Sequence, residues 1–103
     1  MKYILSLDAG TGSVRAIIFD KNGNQIIESQ REYTHKVNPK YSGSIDFDIE
    51  NNWKLICECI KDVLKQVSPN DILAISTTSM REAFVLYDEN KNPIWACSNV
   101  DAR

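Results

Sequence analysis

Asp8, Thr11, Ser13 and Arg15 fall within eight residues, and Gly10 and Gly12 lie between them. This is a set of groups able to grip a polyphosphate. Small residues let the backbone come close to a ligand and point N–H groups at phosphate oxygens. Thr11 and Ser13 add hydroxyl donors, and Arg15 offers a forked cation. Asp8 suits a hard cation such as Mg²⁺, bound directly or through water. Two better-known phosphate loops do not fit. No Gly-Lys-Ser/Thr follows, and the third glycine of the dinucleotide fingerprint is missing. On composition alone, a glycine-rich β-turn with an incidental arginine accounts for these residues equally well.

A second set lies at Ser79-Met80-Arg81-Glu82. Adjacent Arg81 and Glu82 can give one hydroxyl a donor and another an acceptor, which suits a polyol. Taken alone, an exposed ion pair between the two is the commoner explanation. Other polar residues have weaker claims. His35, the only histidine, sits between Thr34 and Lys36 and is expected in solvent. Asp46 and Asp48 are close enough to be paired carboxylates, but capping the helix that follows explains Asp48 more simply. Cys57, Cys59 and Cys97 are read as reduced core residues. Their odd number fits no disulfide framework, and two cysteines two apart on a helix cannot share a metal.

The elements that must position these groups are short. Tyr3 to Leu7 is an apolar run of the kind found in a central strand. Val14 to Phe19 is a second, rich in β-branched residues. Asn22-Gly23 supplies hairpin-turn chemistry before a more polar strand from Gln25 to about Tyr33, expected nearer an edge. The three make an antiparallel meander. His35 to Ser44 reads as a surface loop. Trp53, Ile56, Cys57, Ile60, Val63, Leu64 and Val67 then repeat at three-four spacing and predict one apolar helix face. Ser68-Pro69-Asn70-Asp71 ends the helix. Ile72 to Ser76 is expected as a buried strand, and Ala83–Tyr87 with Ile94–Cys97 as a second hairpin. The order is βββ, α, β, ββ, an α/β fold. A sheet with so few covering helices exposes an apolar face, which predicts that the chain is part of a longer protein.

Composition narrows the function classes. The chain has 103 residues, 43% hydrophobic and 25% charged, which excludes a disordered or collagen-like segment. A net charge of −2 with interspersed signs leaves no basic face for nucleic acid. The first apolar run is too short for a signal peptide, and nothing is long enough to span a bilayer. A cytoplasmic protein with no membrane partner is expected.

Leu7 to Ala16 resembles the first phosphate motif of the actin-like ATPase superfamily, and specifically of the FGGY carbohydrate kinases. Arg81-Glu82 is similar to the pair with which that family holds substrate hydroxyls, a pair that chaperone and actin-type relatives lack. The likeness extends over nearly the whole chain, including Trp53 to Cys59 and Pro93 to Arg103. It implies a ribonuclease-H-like fold in which residues 1–103 are the N-terminal portion of the first FGGY domain. The rest of that domain and a second domain are then absent. It further implies phosphate contacts from Thr11, Gly12, Ser13 and Arg15, Mg²⁺ near Asp8, and a small-molecule acceptor held by Arg81, Glu82 and Asp101. ATP and Mg²⁺ are the implied cofactors, and the full-length enzyme is compatible with a homodimer. The family's general base is an aspartate beyond these residues, so the fragment alone is expected to be inactive. Val100 stands where many xylulose, ribulose and glycerol kinases carry tryptophan. Asn99 to Arg103 resembles instead the branch acting on a slim, linear pentanedione signal. A non-metabolic ATPase of the chaperone or filament class is the rival reading.

Overall fold

The computed structural model describes all 103 residues. β1 (Tyr3–Ala9), β2 (Ser13–Asp20) and β3 (Gln25–Glu32) form the expected antiparallel meander, and α1 (Ile49–Val63) leads to β4 (Ile72–Ser79). β5 (Phe84–Tyr87) and β6 (Pro93–Cys97) make a separate antiparallel hairpin. The main sheet runs β3-β2-β1-β4, so the polar third strand does lie at an edge. β4 returns parallel to β1, as a helical crossover requires.

The β2–β3 and β5–β6 turns are the same device built twice. Asp20 accepts backbone N–H bonds from Asn22 and Asn24, both at 2.9 Å. Asp88 does so from Asn90 at 2.8 Å and Asn92 at 2.9 Å. The fourth residue is left-handed in each, Gly23 at φ 84° and Lys91 at φ 68°. Glycine adopts that conformation freely, whereas lysine does so at a cost.

One face of the sheet carries the core. Val14, Ala16 and Ile18 alternate along β2 and pack with Leu5, Tyr33, Cys59, Val63 and Val67. Asp48 caps α1 as expected, accepting the Asn51 N–H at 3.1 Å. The buried line of the helix differs from the expected one. It runs through Asn52, Cys59 and Val63, with Ile56, Ile60 and Leu64 beside it. Trp53 is 61% exposed and Cys57 only half-buried. The cause is placement: α1 packs over β2 and β3, which rotates its contact line away from Trp53. The same placement corrects the expectation of a buried fourth strand. β4 is bonded only to β1 and lies outside the helix's cover, so Leu73 and Ile75 stay largely exposed.

The segment between β3 and α1 is tied to the second hairpin. Asp46 bridges to both Lys36 and Cys97 in the backbone. Its carboxylate accepts from Trp95 Nε1 at 3.1 Å and from Arg103. Arg103 also binds Asp101 at 2.7 Å and lies 5.0 Å over the Trp95 ring. Asp101 Oδ1 in turn accepts the Ile45 N–H at 2.7 Å. Gly43 is required here, since a Cβ on it would come within 3.0 Å of the Ala102 carbonyl oxygen.

Two outcomes follow from these contacts. Lys91→Gly relieves the left-handed lysine, and urea denaturation should show a gain of about 0.5–1 kcal/mol after the entropy glycine adds to the unfolded chain. Arg103 holds the Asp46 and Asp101 carboxyls below their ordinary values, aided at Asp46 by Trp95 and at Asp101 by the Ile45 N–H. Depressed folded values stabilise above the ordinary carboxylate range, and that stability is lost as pH falls through the folded values. In a Trp53→Phe background, Trp95 fluorescence should therefore hold steady down to about pH 4 and change below it. Arg103→Met should move that change upward. A change complete by about pH 5 in the parent would contradict the assignment.

Candidate functional site

β1 and β4 end side by side. Ala9 is the register partner of Ser79, and Met80 N–H donates to the Ala9 carbonyl at 2.8 Å. The Asp8–Arg15 turn and the Ser79–Glu82 segment therefore leave the sheet at one edge, the carboxyl ends of two neighbouring parallel strands. Open α/β sheets bind ligands at such ends. The third segment singled out in the sequence reaches the same place. Thr11 Oγ1 donates to Asn99 Oδ1 at 3.2 Å, and the Ser98 hydroxyl lies 4.0 Å from Met80 Sδ.

At the hairpin tip, Gly10 N–H donates to the Ser13 carbonyl at 2.9 Å. The Thr11 and Gly12 N–H groups have no acceptor within the chain. A Cβ built on Gly12 would meet nothing within 4 Å, so that side of the loop is open. Ser13 Oγ accepts from Gln30 Nε2 at 3.0 Å, which leaves its own hydrogen free to donate. Asp8 and Arg15 are cross-strand partners, and Arg15 Nη2 binds Asp8 Oδ2 at 2.8 Å. That bond raises the Arg15 pKa above its ordinary value. Its Nη1 lies 3.8 Å from Glu28, and the fork retains donors beyond the Asp8 bond. No group of three or more His, Cys, Asp or Glu side chains could enclose a metal. A cation at Asp8 would thus take its remaining ligands from phosphate and water, as Mg²⁺ commonly does.

Arg81 and Glu82 are both exposed and form no ion pair with each other or with any neighbour. The bland explanation for them, a surface pair, is not what the chain builds. Glu82 sits at φ 64°, a conformation uncommon for a residue with a Cβ. Asp101 is occupied on one side only. Its Oδ1 takes the Ile45 N–H and Arg103, while Oδ2 makes no bond within the chain.

Three residues at the site were not legible as such in the sequence. His35 is only partly in solvent: its Nε2 lies 2.8 Å from the Thr11 carbonyl oxygen, and its ring packs near Tyr33 and Phe47. Asn99 holds Thr11, and Asp46 anchors Trp95 and Arg103. Each contact spans 24 or more positions, and no local pattern signals it. Beside the site lies a cavity of about 300 Å³, lined by Tyr33, Phe47, Trp53, Met80 and Phe84 among others. Its walls are mainly apolar.

No helix is long and apolar enough to cross a membrane. Residues 3–101 match the model of the N-terminal domain of the FGGY family of carbohydrate kinases. The chain is 53% identical over 99% of its length to an autoinducer-2 kinase of Photorhabdus laumondii, and 54% identical over 98% to one of Yersinia enterocolitica. It spans about a fifth of the length of each of these relatives, 20% in both cases. Among solved structures, a ligand-bound xylulose kinase from Lactobacillus acidophilus superposes with a TM-score of 0.86 at 20% identity, covering 98% of this chain and 20% of that one. A Plasmodium falciparum glycerol kinase with ADP gives 0.80 at 20% identity, covering 100% and 21%. These likenesses bear out the ribonuclease-H-like α/β fold that the family resemblance implies. The chain belongs to the FGGY family of carbohydrate kinases.

Proposed function

We propose that residues 1–103 are the N-terminal portion of the first domain of an ATP-dependent kinase. Its acceptor is a primary hydroxyl of a small linear polyhydroxylated molecule. The relatives' names point to autoinducer-2, in its pentanedione form, as that acceptor. The observation that carries the reading is the meeting of two loops at the paired ends of β1 and β4, one rich in phosphate donors and one with an unpaired Arg-Glu set.

In this reading the acceptor oxygen attacks the γ-phosphorus, the bond to the β–γ bridging oxygen breaks, and ADP leaves. The chemistry rests on positioning and charge stabilisation. Thr11 and Gly12 N–H groups, the Ser13 hydroxyl and the free donors of Arg15 hold the phosphates. Mg²⁺, when bound, offsets phosphate charge, and Asp8 is the residue that would hold it. Arg81 donates to one acceptor hydroxyl and Glu82 accepts from another, and Asp101 Oδ2 is free to accept from a third. The hydroxyl proton passes to a general base that none of these residues supplies.

The test is phosphotransfer by the full-length enzyme, with the pentanedione set against xylulose, ribulose and glycerol. The pentanedione is expected to be preferred, and a clear preference for one of the others would replace it as the acceptor. Release of free phosphate alone would point instead to a chaperone- or filament-class ATPase. Arg81→Ala and Glu82→Gln should each raise the acceptor KM by about tenfold or more, since bonds to charged groups are lost, while the ATP KM holds.

A further inference from the structure

We propose that His35 is a positioning residue for the phosphate loop, fixing the direction in which the backbone at Thr11–Ser13 presents its donors. This rests on the phosphate-loop reading of Asp8 to Arg15. A carbonyl oxygen only accepts, so the 2.8 Å contact with Thr11 O requires the hydrogen on His35 Nε2. Two residues earlier on the same segment, Tyr33 N–H donates to the Gly12 carbonyl at 2.9 Å. Both carbonyls of the tip are therefore held from the β3 side. The C=O and N–H of a trans peptide point in opposite directions, and no peptide in the chain is cis. Holding the Thr11 carbonyl toward His35 turns the Gly12 N–H away from it. Holding the Gly12 carbonyl toward Tyr33 does the same to the Ser13 N–H. The Gly12 amide has no acceptor in the chain and lies beside the open space at its own Cα, where an anion can reach it.

Packing does not account for a histidine here. Its ring lies 5.8 Å from Tyr33 and 6.0 Å from Phe47, whose rings meet edge to face at 5.3 Å. A phenylalanine would fill this aromatic corner. The histidine instead leaves its Nδ1 buried with no partner, an unfavourable state for a polar atom. What the imidazole adds is the Nε2 hydrogen on the Thr11 carbonyl.

The experiment compares His35→Phe and His35→Gln in the full-length enzyme, reading the Kd for ATP and for adenosine together with the urea midpoint. The phenylalanine keeps the ring and removes the donor. The glutamine places an amide N–H near the Nε2 position. His35→Phe is expected to weaken ATP by about two- to tenfold, the value of one hydrogen bond, and to leave adenosine unchanged. His35→Gln should recover most of the ATP affinity. Parent-like ATP binding by His35→Phe, equal loss in both variants, or matching losses of ATP and adenosine would each overturn the proposal. A parent enzyme that binds no ATP would remove the phosphate-loop reading itself, and this inference with it.

Discussion

The parallel pairing of β1 with β4 sets the geometry on which everything else depends. Met80 N–H on the Ala9 carbonyl closes that ladder at its last rung. Beyond it the two strands separate into loops of different chemistry, one lined by backbone donors and hydroxyls, the other by a free cation and a free carboxylate. A slip of the ladder would set the two loops at different depths along the sheet, and reacting groups must meet within a few tenths of an ångström. The core serves that register. Leu5 on β1 is buried against β2 and α1, and its burial holds β1 in the middle of the sheet.

Around this edge the chain uses polar contacts in place of a second core. Arg103 joins Asp46 to Asp101, and Asp46 also holds the Trp95 indole. These bonds dock the β5–β6 hairpin and the last residues onto the segment between β3 and α1. They carry Asn99 to Thr11 and so connect the final residues to the Asp8–Arg15 loop. Exposed ion pairs contribute little singly, but this set is linked through shared oxygens and an aromatic face.

Much of the fold was legible because its signals are local. The Asn22-Gly23 turn, the Asp48 cap and the break at Pro69 each act within a few residues. The two candidate loops were legible for the same reason, as clusters of complementary groups. What escaped was whatever depends on which neighbour an element meets. Helical spacing alone placed Trp53 on the core face, and only the seating of α1 on β2 and β3 turns it outward. An apolar run alone placed β4 in the interior, and only its edge position exposes Leu73 and Ile75. The Arg15–Asp8 bond follows from hairpin register, and the His35–Thr11 contact from the return of the chain past β3.

The order of strands also divides the site in time. The β1-β2-β3 meander closes through two tight turns, so its contacts form among residues close in the chain. β4 reaches β1 only after the whole of α1 has intervened, and that closure carries a larger loop entropy. On a ribosome the first 32 residues emerge well before β4. The Asp8–Arg15 side of the site can take its hairpin form as an early, local structure, and the Ser79–Glu82 side is added to it as a late docking event. The rung between Met80 and Ala9 is where the two folding histories join.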